Sequence, residues 1–368
     1  MRAIWAVTTL AVTAGQAAVT VGAQTTETAI HGYLETNYSL NFNRPANRIT
    51  AARGFDDRHN QLQLSNLAFE VTSVWSRVTF HTVLQAGETA NVYYAAEPSS
   101  ARNRWRHLQQ ATIAVQPSRK NDWRVEAGLF LSPIGPEGVA IKDNWNWSHS
   151  NLFYALPTYH LGVSTTYSAG QNHEVTVAVY NGWNNIEDNN KRPSVAARWQ
   201  THYGQTLKTS VLYFGGVERS TDAVEGQPRR DLLDLWAQWD CSDRLALLVH
   251  GDIGQEHNRF GTSAWSAAAV TARGRLADHW YLAARVDRFV ERVPAGASPI
   301  FWSLTSSSGR RLVRSKTLTL EYRATKAILT RLELRHDSAS ASLYYRGETN
   351  DPNSRSQTTL TLGAVAWF

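Results

Sequence analysis

Cysteine is almost absent from this chain of 368 residues, which contains a single one, Cys241. One cysteine cannot form an intramolecular disulfide, so an exported form of the protein must be held together by other means. Cys241 has no partner thiol for a metal site, and no pair of histidines has the i, i+4 spacing of a helical zinc motif. The sequence therefore predicts neither a metal nor a cofactor.

Long hydrophobic runs are also missing. Beyond residue 25 no run of about 18 apolar residues occurs, which is roughly what a transmembrane helix requires. The mean hydropathy of −0.38 is too polar for a bundle of membrane helices. It still permits a membrane-spanning β-barrel, because only alternate residues of such a barrel face lipid.

Neither sign of charge dominates the chain. Lysine and arginine number 37 against 31 acidic residues, and the formal net charge is +6. The basic residues are scattered singly and not concentrated on one element, which argues against a nucleic-acid partner. No glycine-rich loop follows a strand and opens a helix, so nucleotide binding has no support.

The N-terminus has the features of a secretory signal peptide over residues 1–23. Arg2 is a short basic region, residues 3–14 are mostly apolar, and residues 21–23 (VGA) form a small-residue cleavage site. We expect cleavage to leave a single barrel domain, residues 24–368. Cleavage near Ala17 or Ala18 is an alternative, as are a membrane anchor and an apolar first strand.

The rest of the chain alternates apolar and polar residues in runs of about ten, which is the period of a β-strand. In the first run, Leu34 and Tyr38 lie on one face, and Glu35 and Asn37 on the other. The sixteen predicted strands are 29–42, 61–72, 74–87, 106–117, 122–131, 159–168, 173–182, 194–203, 206–215, 230–240, 244–254, 263–275, 279–290, 312–324, 328–338 and 357–368. The count is uncertain by two strands.

The connectors between these strands alternate strictly between long and short. The connectors after odd-numbered strands have roughly 10 to 28 residues and the others roughly 2 to 6, a pattern typical of external loops and periplasmic turns. We therefore predict an all-β fold, a transmembrane antiparallel up-and-down barrel of about 16 strands. Its location would be the outer membrane of a Gram-negative bacterium, in contact with outer-membrane lipids.

Aromatic residues and the C-terminus support this prediction. Fourteen tryptophans and fourteen tyrosines would form two girdles at the membrane interfaces. The last strand alternates and ends on an aromatic residue, Phe368, which resembles the signal that the barrel-insertion machinery reads. It departs from that signal at Ala366, where an aromatic residue is common.

Several segments resemble the OmpL-like family of β-barrel porins. They are residues 132–138 (SPIGPEG), 144–150 (NWNWSHS), 157–163 (PTYHLGV), 333–337 (ELRHD) and 358–368. The resemblance covers essentially the whole mature chain. It implies an outer-membrane barrel and passive transport, with no catalytic residues and no defined substrate.

The longest connector, residues 132–158, is the candidate constriction element. Irregular backbone at membrane depth is tolerated only where it is buried in protein or lines a cavity. The constriction-loop candidates are Glu137, Lys142, Asp143, Trp145 and Trp147, of which the first three supply charge and the tryptophans pack the loop to the wall. The alternative is an external loop that covers the mouth of the barrel.

Strand parity also predicts charges that face the lumen. The pore-lining candidates are Arg77, Arg124, Glu126, Arg198, Asp234, Asp252, Arg285, Asp287, Glu321, Arg323, Arg331, Glu333, Arg335 and Asp337. Arginine slightly outnumbers the acids, so a weak anion preference follows if these charges meet solutes. For the last four we favour an alternative, that opposite charges brace the inner wall in cross-strand pairs.

The function that these features predict is passive diffusion of small hydrophilic solutes, with a preference for anions or oligosaccharides as open refinements. The runner-up is a non-conducting structural or adhesion barrel plugged by residues 132–158. A barrel hydrolase is the least favoured option. Its candidates come with no recognisable nucleophile motif: His336–Asp337, His250 with Asp252, and His59 with Asp56 and Asp57. A homo-oligomer is expected only by analogy.

Overall fold

A computed structural model describes residues 17–21, 24–117, 120, 122–301 and 308–368. None of the helices in these ranges has the length and apolar character needed to cross a membrane. Sixteen antiparallel strands, β2 to β17, each pair with the next along the chain, and β17 pairs with β2 to close the ring. Closure matters because a closed ring has no open sheet edge at membrane depth.

The strands follow the predicted order, and all sixteen predicted strands of the barrel are present. Their bounds are β1 Ala17–Val21, β2 Gln24–Asn41, β3 Leu62–Trp75, β4 Val78–Ala86, β5 Leu108–Val115, β6 Trp123–Leu131, β7 Tyr159–Ala169, β8 His173–Tyr180, β9 Ser194–Tyr203, β10 Leu207–Val217, β11 Arg229–Ser242, β12 Leu245–Asn258, β13 Gly261–Ala277, β14 Trp280–Val293, β15 Gly309–Thr325, β16 Ile328–Ala339 and β17 Ser356–Trp367. The short helices are α1 Glu88–Tyr93, α2 Ser99–Trp105 and α3 Asn151–Tyr154, with a 3₁₀ turn at Ile141–Asp143.

The wall is apolar outside and polar inside, the reverse of a soluble protein. On β16, Arg331 and Glu333 are buried in the interior, whereas Leu332 and Leu334 are 45% and 46% exposed on the outer face. Because side chains alternate along a strand, this arrangement turns one set of residues to lipid and the other to the lumen. The barrel therefore spans a membrane.

Loop lengths differ at the two ends of the barrel, with one correction to the predicted alternation. Strands β12 and β13 are joined by Arg259 and Phe260 alone, where a longer external loop was predicted. The polar residues that suggested a loop continue the hydrogen-bonded ladder instead, as Glu256 pairs with Ser263. Gly261, with φ of 129°, accommodates the tight turn.

Strand β1 lies outside the ring. It pairs antiparallel with residues Gln24 to Thr28 at the start of β2. Most of the predicted signal peptide falls outside the described residues, and its cleavage stays a prediction.

Aromatic side chains gather on the outer surface at the end with the short turns. Trp123 lies 4.8 Å from Tyr167, and Trp280 lies 4.8 Å from Tyr322, measured between ring centroids. All four are exposed. This belt corresponds to one of the two predicted girdles, where an amphipathic ring is stable at the interface between lipid and water.

The C-terminal residue completes the closing seam. The backbone N–H of Phe368 donates to the carbonyl of Gly32 at 3.1 Å, and the N–H of Gly32 donates back at 3.3 Å. The ring of Phe368 lies over Gly32 so closely that a Cβ there would come within 2.8 Å of it. The terminal aromatic residue thus packs on the first strand of the barrel.

Candidate pore interior

The connector of residues 132–158, called the inner loop below, lies inside the barrel. Its backbone N–H groups donate to carboxylates on three separate regions of the inner wall. Gly135 donates to Asp234 at 3.2 Å, Ile141 to Glu35 at 2.6 Å, and Trp147 to Glu333 at 2.6 Å. Because these carboxylates belong to strands β11, β2 and β16, the loop must cross the lumen. The alternative of an external cover is wrong.

Arginines on the wall hold the carbonyl groups of the inner loop. Arg331 donates to the carbonyls of Ile141 and Asn146 at 2.9 Å each and to that of Asn144 at 2.5 Å. Arg335 donates to the carbonyl of His149 at 2.5 Å. The planar guanidinium has five N–H donors, so one side chain can satisfy several carbonyls of an irregular segment at once.

Carboxylates on the wall hold the N–H groups of the same loop. Glu333 accepts hydrogen bonds from the backbone of Trp147 at 2.6 Å and of Ser148 at 3.0 Å. Asp287 accepts from the side-chain amide of Asn151 at 2.6 Å. The inner loop has few internal backbone hydrogen bonds, and the wall supplies the partners that its buried polar groups require.

The predicted lumen charges divide into a covered set and an accessible set. Nine are at most 5% exposed: Asp234, Asp252, Arg285, Asp287, Glu321, Arg331, Glu333, Arg335 and Asp337. Arg124, Glu126, Arg198 and Arg323 keep partial exposure. Arg77 lies in the turn between β3 and β4 with an exposed side chain, so strand parity assigns it to neither face.

Charge pairing along the wall is more varied than the predicted cross-strand bracing. Arg331 pairs with Glu321, its direct partner on β15, at 2.6 Å. Arg335 instead pairs with Asp337 two residues along its own strand, at 2.7 Å. Glu333 bonds mainly to the loop. These four residues therefore combine wall bracing with attachment of the inner loop.

Glu137 is the charged anchor of the inner loop itself. It accepts hydrogen bonds from the guanidinium of Arg285 at 2.9 Å and from the backbone of Ser150 at 3.0 Å. Burial alone would raise the pKa of Glu137, but the charge of Arg285 and the hydrogen bonds from Ser150 outweigh burial and hold the pKa below its usual value. Burial lowers the pKa of His149. At neutral pH the loop thus carries an ionised Glu137 and a neutral His149.

The other constriction candidates lie on different sides of the inner loop. Trp147 packs on the wall, where its indole occupies the space above Gly363: a Cβ there would come within 2.3 Å of the ring. Trp145 and Asp143 line a cleft between the loop and strands β11 to β13. Lys142 pairs with Asp143 at 2.9 Å. Of the two tryptophans, Trp147 is fully packed to the wall, as predicted, whereas Trp145 lines this cleft.

Apolar side chains attach the inner loop to the opposite wall. Its residues Ile134, Leu152, Ala155 and Leu156 form one buried cluster with inward-facing residues of strands β8 to β14. The largest wall members are Phe214, Leu232, Trp265 and Phe289. The loop therefore bridges the lumen, with polar contacts on the β14–β17 side and apolar contacts on the β8–β14 side.

Two contributors to the site were not among the sequence candidates. Glu35 lies on the inward face that the alternation assigned to it, so parity could have identified it. Arg53, in the external loop of residues 42–61, enters the lumen and contacts Asp56, Asp337 and Thr359. No local pattern marks Arg53, because its role depends on how that loop folds back.

The histidine–aspartate pairs considered for a hydrolase have other arrangements. His336 is exposed on the outer face of β16 while Asp337 is buried inside, so they cannot act together. His59 accepts a hydrogen bond from the backbone of Asn41 at 2.9 Å. His250 and Asp252 both face inward and lie beside Asp234.

Comparisons with known proteins give a family and a set of similar folds. A family model described as "Putative beta-barrel porin-2, OmpL-like" matches residues 27–368. No curated protein sequence matches.

Three solved structures illustrate the shared fold. An anion-selective porin from Comamonas acidovorans is 11% identical with a TM-score of 0.59, covering 93% of this chain and 100% of that one. OmpT, an outer membrane protein of Vibrio cholerae in its trimer form, is 10% identical with a TM-score of 0.62, covering 93% and 99%. The outer membrane channel DcaP of Acinetobacter baumannii is 12% identical with a TM-score of 0.58, covering 93% and 97%. At these identities the likeness shows the fold alone.

Proposed function

This chain belongs to the OmpL-like family of β-barrel porins and is located in the outer membrane, and from this premise we propose that it is a narrow channel for small hydrophilic solutes. The inner loop is the constriction. It fills much of the lumen, so the channel admits small solutes and excludes larger ones. The passage runs beside the loop, past the accessible side chains of Arg124 and Glu126 on β6.

One observation carries this proposal: the inward-facing side chains differ in exposure around the barrel. Inward charges such as Arg331 and Glu333 on β16 are buried against the inner loop. The side chains of Arg124 and Glu126 on β6 are instead 37% and 20% exposed, and that of Arg323 near the turn end of β15 is 37% exposed. A small cleft lined by Asp143, Trp145 and Gln238 lies between the loop and strands β11 to β13. Polar side chains kept accessible inside a barrel are what a water-filled passage requires.

The accessible charges favour anions. Most of the inward carboxylates are buried. Arg124, Arg198 and Arg323 remain partly exposed. A constriction whose exposed charges are mainly guanidinium groups lowers the energy of an anion in transit. We therefore expect a weak anion preference, which salt screening reduces.

A second candidate function is a non-conducting barrel plugged by the inner loop. It is supported by the apolar cluster that joins Leu152 and Leu156 to Phe214 and Trp265, because such contacts exclude water. In that case the rigid interior would block the lumen, and the role of the barrel would be structural or adhesive at the cell surface.

Single-channel recording separates the two candidates. Purified barrel inserted in a planar bilayer should give stable openings. The reversal potential in a salt gradient should indicate a preference for anions over cations. The double variant Arg124→Gln, Arg198→Gln should shift the reversal potential towards cations, because it removes accessible positive charge and leaves the loop attachments intact. Arg229→Gln, on the outer surface, is the matched control. Correctly folded protein that never conducts would contradict the channel and favour the plug.

The remaining proposals concern assembly. Residues 1–23 would be cleaved on export, and the barrel-insertion machinery would read the C-terminal strand. A homo-oligomer is proposed because a similar fold, the Vibrio cholerae OmpT, is recorded in a trimer form. Crosslinking in native outer membranes tests that proposal.

A further inference from the structure

Three ionisable side chains meet under the inner loop on adjacent strands. Asp234 on β11 lies directly opposite Asp252 on β12, and His250 is two residues from Asp252 on the same inward face. Asp234 is 0% exposed, His250 is 3% exposed and Asp252 is 2% exposed. Each offers one ligand atom, and these atoms all lie within 4.8 Å of one another.

The hydrogen bonds of this cluster satisfy only part of it. Asp234 accepts from the imidazole Nε2 of His250 at 2.6 Å and from the backbone of Gly135 at 3.2 Å. Both carboxylate oxygens of Asp252 and the Nδ1 of His250 are buried and complete no hydrogen bond. The indole N–H of Trp265 is close enough to Asp252 to interact with it, yet it also completes no hydrogen bond.

A buried carboxylate without partners is unfavourable, and proteins relieve it by pairing, by protonation or by binding a cation. The groups that face Asp252 here are a second carboxylate and one imidazole. Oxygen and imidazole nitrogen together form a donor set that suits first-row divalent metals such as Zn²⁺. The bond from His250 to Asp234 fixes the ring and leaves its second nitrogen free, an arrangement that recurs in metal-binding histidines.

We propose that Asp234, His250 and Asp252 bind one divalent transition-metal ion of the Zn²⁺ class. Asp252 and the free Nδ1 of His250 are ligands, and Asp234, which is bonded to Nε2 of the same ring, orients the imidazole. Gly135 covers the site from the loop side, where a Cβ would lie 3.3 Å from the imidazole Cε1. Because Gly135 also bonds to Asp234, the ion would fasten the inner loop to the β11–β12 wall.

Metal analysis of the untagged, folded barrel tests the site. The protein is stripped with a chelator, desalted, and titrated with Zn²⁺ alone. Wild type should bind one Zn²⁺ ion per chain in this titration. Asp252→Asn should weaken Zn²⁺ binding at least about tenfold, since it removes an anionic ligand. Glu126→Gln is the matched control, because it neutralises another inward carboxylate that lies outside the cluster, and its affinity should equal that of wild type.

The outcome is readable even if a variant fails to fold. Co²⁺ added to wild type should give visible absorption bands at a stoichiometry of one, and Zn²⁺ should abolish them. Absence of saturable binding in folded wild type, or equal binding by folded Asp252→Asn, would overturn the proposal. Metal content is measured without any current, so failure here leaves the channel proposal untouched and failure of conductance leaves the metal site untouched.

Discussion

Arg331 is the side chain whose loss should most weaken the attachment of the inner loop. Its guanidinium is fully buried, and it donates to the carbonyls of Ile141, Asn144 and Asn146 while pairing with Glu321. Substituting methionine keeps a long side chain and removes every donor. Glu321 keeps two other arginine partners, Arg273 at 2.6 Å and Arg323 at 2.7 Å, so the change acts mainly on the loop.

The size of the effect follows from the bonds that are lost. A hydrogen bond to a charged group contributes about 1.5–3 kcal/mol, and three such bonds end on the loop. Water entering from the lumen would rehydrate part of the carbonyls, so we expect a net loss of about 3 kcal/mol. Since each 1.4 kcal/mol is tenfold, the population with a displaced segment 141–146 should rise by about a hundredfold.

The assay is single-channel recording combined with limited proteolysis of the folded barrel. Arg331→Met should give larger or fluctuating conductance levels and cleavage within residues 141–146. Arg323→Met is the control, because it removes another arginine partner of Glu321 without loss of a contact to the inner loop. This variant should leave the loop resistant to protease. If Arg331→Met behaves as wild type in both measurements, the reasoning that the wall arginines hold the loop is refuted.

Three further predictions follow from single contacts. Gly363→Leu should expel the indole of Trp147 from the wall at a cost of about 1–3 kcal/mol for overpacking, seen as a red shift of tryptophan fluorescence that Gly274→Leu does not produce. Because the pKa of Glu137 is depressed, its stabilising contribution is complete at neutral pH and is lost as the pH falls below about 4.5 through the folded-state pKa. Protease cleavage of the inner loop should therefore increase only in acid. Unchanged resistance to protease at about pH 3 would contradict this. Phe368→Ala should slow barrel assembly, because it removes the ring that packs on Gly32. The assembly rate is measured from the heat-modifiable electrophoretic mobility of the folded barrel, and a rate equal to that of wild type would argue against a role for the terminal ring.

The strands were predictable because their signal is local. Residues 331–335 alternate arginine or glutamate with leucine, and the structure places Leu332 and Leu334 outside and the charges inside, as parity requires. Sixteen such runs with turn chemistry between them define a barrel before any contact is known. The prediction of a longer loop between β12 and β13 was wrong because the polar residues there continue the hydrogen-bonded strands. A hydrated external hairpin and a loop have the same composition.

The interior was only partly predictable. Parity correctly turned Arg331, Glu333 and Arg335 inward, but it could not show that the inner loop would cover them. Those charges were expected to meet solutes or brace one another, and most of them instead bind the backbone of the inner loop. Arg53 reaches Asp337 across 284 positions of sequence, a contact that no local pattern encodes.

The barrel could be predicted from the amino-acid sequence alone, because alternation, turn spacing and the terminal aromatic residue are properties of neighbouring residues. What occupies the lumen depends instead on contacts between distant parts of the chain. The inner loop has little regular structure of its own, so its path depends on donors and acceptors supplied by strands far away in sequence. The same closure brought Asp234, His250 and Asp252 together, because their meeting depends on the register between β11 and β12 and on the burial that the inner loop imposes.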